Sequence, residues 1–205
     1  MKLLKNGDKV GIVACSNGLT SDTKGTVEKL INALEELGLE AVMSKKLYRE
    51  NLIYNGTNKE KAEVLNDFFK ADSIKAIYDI SGGDAANGIL EYLDYDAIKN
   101  NKKLLFGYSD LTVLLNSIYA KTNMSSYLYQ IKNIIGNYSK IQKKNFKNTF
   151  IDGENAELLN FNYKWIQGNH MNGTIIGGNI RCFLKLAGTE YLPDFNNKIL
   201  ILESL

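Results

Sequence analysis

Short runs of apolar and β-branched residues alternate, along most of this chain, with stretches whose apolar side chains recur every three or four positions. That alternation constrains the fold more than any other feature. Lys9-Val10-Gly11-Ile12-Val13-Ala14-Cys15 reads as a buried strand ending in the tight loop Ser16-Asn17-Gly18. Thr23 to Leu37 follows with Val27, Leu30, Ile31, Leu34 and Leu37 at helical spacing and Gly38 as a stop, and Leu39 to Met43 returns as a strand. A second helix is predicted from Thr57 to Ala71, where Thr57 and Glu60 have the spacing of a capping box. Ile74 to Ile80 is a strand running into Ser81-Gly82-Gly83-Asp84, Ala86 to Leu93 a helix, Lys103 to Phe106 a strand, and Leu111 to Lys121 a long helix. The expected fold class is therefore α/β, an open and mostly parallel sheet with flanking helices.

From Asn137 the pattern changes. Asn137 to Asn148 is rich in Lys and Asn, and Asp152 to Asn162 mixes charge with isolated apolar residues. Residues 1–136 are expected to form an N-terminal α/β domain and 137–168 a connecting segment. In 169–205 the strand Gly173 to Asn179, the short helix Ile180 to Ala187 and the strand Lys198 to Leu202 begin a second, smaller α/β domain. Parallel strands need both faces covered, so a chain that stops just after a core strand is expected to be truncated within that domain. An uncovered final strand would also favour a homodimer.

Composition narrows the function. With 25 Lys+Arg against 23 Asp+Glu the formal charge is +2, so the electrostatic footprint of a nucleic-acid partner is missing. No apolar run approaches the roughly 20 residues of a membrane span, and Met1 to Lys5 lacks a signal-peptide core, so neither a membrane partner nor export is expected and the chain reads as cytoplasmic. Cys15 and Cys182 form no Cys-x-x-Cys pair, and a single histidine, His170, excludes metal centres that need two imidazoles. The glycines fit neither a dinucleotide fingerprint nor a Walker loop. No metal and no cofactor are expected.

Ser109 is the sharpest local feature. It lies in Gly107-Tyr108-Ser109-Asp110-Leu111, between a strand and a helix start, where a hydroxyl projects from the carboxyl edge of the sheet. One reading is a nucleophile elbow; the other is that Ser109 or Asp110 caps the helix. Gly82-Gly83 likewise reads in two ways. It is either a turn needing positive φ, or a loop whose amide near Gly83 joins that of Asp110 in an oxyanion hole.

Six blocks resemble, in order, those of the LD-carboxypeptidases, the serine peptidase family that includes the microcin C immunity proteins. They are Val10 to Ser16, Ser81 to Asn87, Tyr92 to Asp96, Gly107 to Thr112, Gly173 to Asn179 and Lys198 to Glu203. The resemblance implies a Ser-Glu-His triad with Ser109 as nucleophile, Glu203 as the carboxylate that orients the histidine, and backbone amides of Gly83 and Asp110 as the oxyanion hole. Gly82 and Asp84 are then expected to contact substrate. Trp165 is a candidate for stacking on a nucleotide, with simple packing as its other reading.

The family's histidine lies beyond the glutamate strand, where this sequence has none. His170, in the polar loop Gln167-Gly168-Asn169-His170, does not match it, although triads occur in several chain orders. Ser125 to Gln130 stands where the family commonly has an aromatic-Gly-Pro segment. The resemblance thus implies a serine carboxypeptidase acting on a small peptide, the L-to-D amide of a muropeptide, with this chain weak or inactive alone. The alternatives are an immunity-type hydrolase of peptide-nucleotide conjugates and a non-catalytic binding homologue.

Overall fold

The computed structural model describes residues 2–50, 54–160 and 162–204. Strands β1 (Lys9–Val13), β2 (Glu40–Met43), β3 (Ile74–Asp79), β4 (Leu104–Gly107) and β5 (Tyr127–Leu128) form one all-parallel sheet in the order β2-β1-β3-β4-β5. Alternation along the strands sends Val13, Ile77 and Leu105 to one face and Ile12, Tyr78 and Phe106 to the other. The first set packs under α2 (Asn58–Lys70), a 3-10 segment (Ala86–Tyr92), α3 (Tyr95–Asn100) and α4 (Thr112–Thr122). The second packs under α1 (Lys24–Glu36), the 3-10 turn Ile131–Ile135 and α5 (Ser139–Phe146). Both faces are covered, as the unbroken apolar runs require.

The Thr57 capping box forms as read, with the Thr57 hydroxyl accepting from the Glu60 amide and the Glu60 carboxylate accepting from the Thr57 amide at 2.7 Å. Two elements differ from the sequence reading. Ala86 to Leu93, expected as a helix, winds as a 3-10 segment over Ala86–Tyr92, and the Lys- and Asn-rich stretch after Asn137 is helical. There α5 continues as a π-helical turn (Lys147–Asp152), and Phe146 and Phe150, four residues apart, pack against Phe106 with ring centroids 6.3 and 5.1 Å away. One narrow aromatic stripe anchors an otherwise polar helix to the sheet.

A second, two-stranded parallel sheet pairs β6 (Thr174–Asn179) with β7 (Lys198–Glu203), linked through α6 (Ile180–Phe183) and the 3-10 turn Leu184–Leu186. It docks on α4. The Asn116 side chain donates to the Gly177 carbonyl and accepts from the Gly177 amide, both at 2.8 Å, a mimic of a β-ladder pair. The Asn179 amide donates to Thr112 Oγ1 at 3.0 Å. Gly178, at φ 129°, lies so close that an added Cβ would stand 2.7 Å from Thr112 Oγ1. Ile176, Cys182, Phe183 and Leu186 complete the contact by joining the core cluster that contains α4. No helix among the described residues is long and apolar enough to cross a membrane.

Candidate active site

Strand order 2-1-3-4-5 places a topological switch between β1 and β3, and ligands of such sheets bind beyond the carboxyl ends of the strands. Three loops meet there: Ser16 and Asn17 after β1, Ser81 to Ala86 after β3, and Tyr108 to Leu111 after β4. Ser109 is half-buried and adopts φ 57°, a left-handed conformation that few non-glycine residues hold. It opens a 3-10 turn (Ser109–Leu111) that leads straight into α4. The first hydrogen bond of that turn is made by the Leu111 amide to the Tyr108 carbonyl at 3.2 Å, so the amides of Ser109 and Asp110 precede it as helix-start donors. Gly107 allows the sharp bend, since a Cβ there would lie 2.8 Å from Leu111 Cβ.

The glycine loop is held against this turn by side chains. Gly83 has φ 133°, and an added Cβ would stand 2.3 Å from Asn17 Cγ, so only glycine fits. The Asp84 amide donates to Asn17 Oδ1 at 3.1 Å, and the Ala86 amide to Asp110 Oδ2 at 2.9 Å. Beneath the loop Asp79 is buried and accepts from the Cys15 amide, the Ser81 amide and the Ser81 hydroxyl at 2.8, 2.8 and 2.6 Å. Burial raises its carboxyl pKa above the usual range despite those donors. The buried Lys61 ammonium donates to the Ser16 carbonyl at 2.9 Å, and burial lowers its pKa.

Glu203 arrives from the second sheet. In register opposite Asn179 at the end of β7, its carboxylate lies near Tyr108, whose hydroxyl pKa is raised by burial and then by the Glu203 charge. Glu203 Oε1 is buried and has no hydrogen-bond partner among the described residues. A buried acceptor of this kind calls for an N–H or O–H donor.

Models of the LD-carboxypeptidase N-terminal domain and of the LD-carboxypeptidase C-terminal domain match residues 10–129 and 172–205. The chain belongs to the LD-carboxypeptidase family. A putative carboxypeptidase of Treponema pallidum (strain Nichols) is 30% identical, over 98% of this chain and 66% of the relative. The structure of MccF in complex with glutamyl sulfamoyl guanosine superposes with a TM-score of 0.82 at 26% identity, covering 97% of this chain and 69% of that one. The crystal structure of muramoyltetrapeptide carboxypeptidase from Oxalobacter formigenes shares the fold, with a TM-score of 0.70 at 18% identity over 95% of this chain and 65% of that one. The chain spans about two thirds of the length of the curated relatives it matches.

In this LD-carboxypeptidase-family chain, Ser109, Asp110, Gly82, Gly83, Asp84 and Glu203 are drawn from distant stretches of sequence to one end of the sheets. Trp165 and His170 sit on a separate segment. Trp165 is half-buried and edge-on to Tyr163, with ring centroids 5.6 Å apart. His170 is exposed, and among the described residues no hydrogen bond or ion pair joins it to Ser109 or Glu203. Several structural partners escaped the sequence reading: Ser16, Asn17, Asn116 and Lys185. Asn17 follows a strand end and Asn116 interrupts an apolar helix, two signals that could have marked them. Lys185 carries no comparable mark.

Proposed function

We propose that this chain carries the nucleophile, the oxyanion hole and the orienting carboxylate of a serine hydrolase that cleaves an acyl–nitrogen bond. Ser109 Oγ attacks the carbonyl carbon and forms the acyl-enzyme, whose ester bond water later cleaves, releasing the acid and returning the proton to Ser109 Oγ. The C–N bond breaks with its electron pair on nitrogen, and the leaving group takes the proton that the serine gave up. Amides of Asp110 and Gly83 donate to the developing oxyanion. The observation that carries this reading is the left-handed backbone of a serine at a strand-to-helix turn, a conformation that few non-glycine residues hold.

Glu203 has the role of holding an imidazole, since its buried Oε1 accepts no bond within the described chain. The sole imidazole of the 205 residues is the exposed His170, so turnover by this polypeptide alone falls orders of magnitude below that of a complete triad. Gly82 and Asp84 border the substrate's path. The substrate class is an aminoacyl or peptidyl group joined to a nucleotide, supported by the similarity to MccF, whose structure holds glutamyl sulfamoyl guanosine. In this reading Trp165 offers a stacking face to the base. A second reading, cleavage of an L-to-D amide in a muropeptide, rests on the description of the two matching family models.

One experiment separates them. The purified chain is incubated with glutamyl sulfamoyl guanosine and, separately, with a muramoyl tetrapeptide, and released glutamate or D-alanine is quantified over hours. Slow glutamate release that vanishes in Ser109→Ala supports the first reading, and Ser109-dependent D-alanine release supports the second. Binding of either compound with no release, together with no labelling of Ser109 by a fluorophosphonate even when imidazole is added as an external base, overturns both in favour of a non-catalytic binding homologue.

A further inference from the structure

The Asp110 carboxylate is fully buried and its hydrogen bonds reach three separate parts of the chain. Oδ2 accepts from the Ser16 hydroxyl at 2.6 Å and from the Ala86 amide at 2.9 Å, which ties the loops after β1 and β3 to the turn after β4. Oδ1 accepts from the Lys185 ammonium at 2.7 Å. Lys185 stands on the 3-10 turn that follows α6, beside the buried Leu186, and so belongs to the second unit of the molecule. The same ammonium donates to the Asp84 carbonyl at 3.0 Å and lies 3.5 Å from the Asp84 carboxylate. One cation thus grips two residues, and they are the two that frame the oxyanion hole: Asp110 supplies one amide, and Asp84 follows the glycine that supplies the other.

We propose that Lys185 is a positioning residue that sets the spacing between the two oxyanion-hole amides, so that docking of the second unit brings the hole to its working geometry. The inference rests on the assignment of Ser109 as nucleophile and deepens it. The physical reason is directional. An amide donor stabilises an oxyanion only within hydrogen-bond reach of the place where the charge develops, and a displacement of about 1 Å is enough to lose on the order of a hundredfold in rate. With its carboxylate pinned on both oxygens the Asp110 main chain, and with it the amide, is held against displacement, and Lys185 is the one charged donor to that carboxylate among the described residues. Asp84 cannot swing outward while its carbonyl remains bound to the same nitrogen. Arg181, which pairs with the exposed Asp84 carboxylate from the solvent side, does not touch Asp110 in this way.

The test is the rate at which a fluorophosphonate labels Ser109 in the full 205-residue chain. In that reaction the Oγ–P bond forms as the P–F bond breaks, fluoride leaves, and the serine proton passes to solvent. The phosphonyl oxygen occupies the oxyanion hole, so the rate reads the hole directly. Lys185→Met is expected to lower the limiting labelling rate about 10- to 100-fold with little change in the half-saturating probe concentration. Lys185→Arg, which can still donate to a carboxylate and a carbonyl, stays within about threefold of the parent chain.

Lys185→Ala with added ethylammonium provides a readout that loss of packing would not move. The rate is expected to rise saturably with amine while the melting temperature stays constant. Equal labelling of the parent and Lys185→Met overturns the inference and leaves the nucleophile assignment standing. Loss of rate that neither arginine nor ethylammonium restores also overturns it. No labelling of the parent chain at all, even with imidazole added as an external base, overturns the nucleophile assignment, and this inference with it.

Discussion

The five-stranded sheet and the two-stranded sheet solve the same problem with different means. In the first, Ile12, Ile77, Tyr78 and Phe106 are fully buried between helices on both faces, and apolar area supplies the stability. In the second, Ile175, Leu200 and Leu202 remain 60%, 45% and 48% exposed, and the sheet is oriented by directional bonds to α4. Where hydrophobic burial is one-sided it orients a sheet on its neighbour only loosely, because apolar contact is non-directional. Amide pairs and close glycine contacts orient it tightly. The consequence is that the seam between the sheets is polar and specific, and Ser109, Asp110 and Glu203 all lie along it.

The largest expected effect tests the first half of the comparison. Phe106→Ala removes a ring packed against Tyr78, Tyr127 and Phe150 and should destabilise the chain by about 3–5 kcal/mol, read as a shift in the urea midpoint. Next comes the seam. Asn116→Ala strips both partners from Gly177 and should cost about 1–3 kcal/mol. Amide hydrogen exchange should then quicken in β6 and β7 and stay slow in β1 and β3. Equal quickening in all four strands would mean that the two sheets unfold as one unit, and the contrast drawn above would break.

A smaller effect lies wholly within the first unit. Thr57→Ala should lower stability by about 1 kcal/mol through loss of the α2 cap, measured by thermal unfolding. The Glu60 carboxyl pKa is pushed down from 4.5 to about 2, first by the Thr57 amide and then by Lys46 and the Thr57 hydroxyl. Its folded value lies below its unfolded one, so its contribution is present above pH 4.5 and is lost as pH falls toward 2. The stability difference between the parent chain and Glu60→Gln should therefore close across that window and stay constant above it. The smallest effect belongs to the second sheet's open face: Leu200→Ser, at a site already 45% exposed, should change stability by no more than about 0.5 kcal/mol.

Local periodicity carried most of the fold. β1, α1, α2, β3, β4 and α4 are each legible because their apolar spacing has a single reading, and the Thr57 to Glu60 interval marks a helix start without help from tertiary structure. β5 was not legible, since two residues are too few for any period. Neither was α5, in which Phe146 is the one buried residue of a polar run. At the site, Ser109 and Gly83 could be picked out because a strand-to-helix turn and a glycine pair are local signals. The partners of Asp110 could not. Ser16, Ala86 and Lys185 lie 94, 24 and 75 positions away along the chain, and only folding brings them together.

The left-handed backbone at Ser109 is a conformation that glycine enters freely and that a side-chain-bearing residue holds at a penalty of order 1 kcal/mol or more. Main-chain ease and possession of a hydroxyl therefore pull in opposite directions at this position. A lineage screened for robustness alone would drift toward glycine at 109, gaining a calmer main chain and surrendering the hydroxyl.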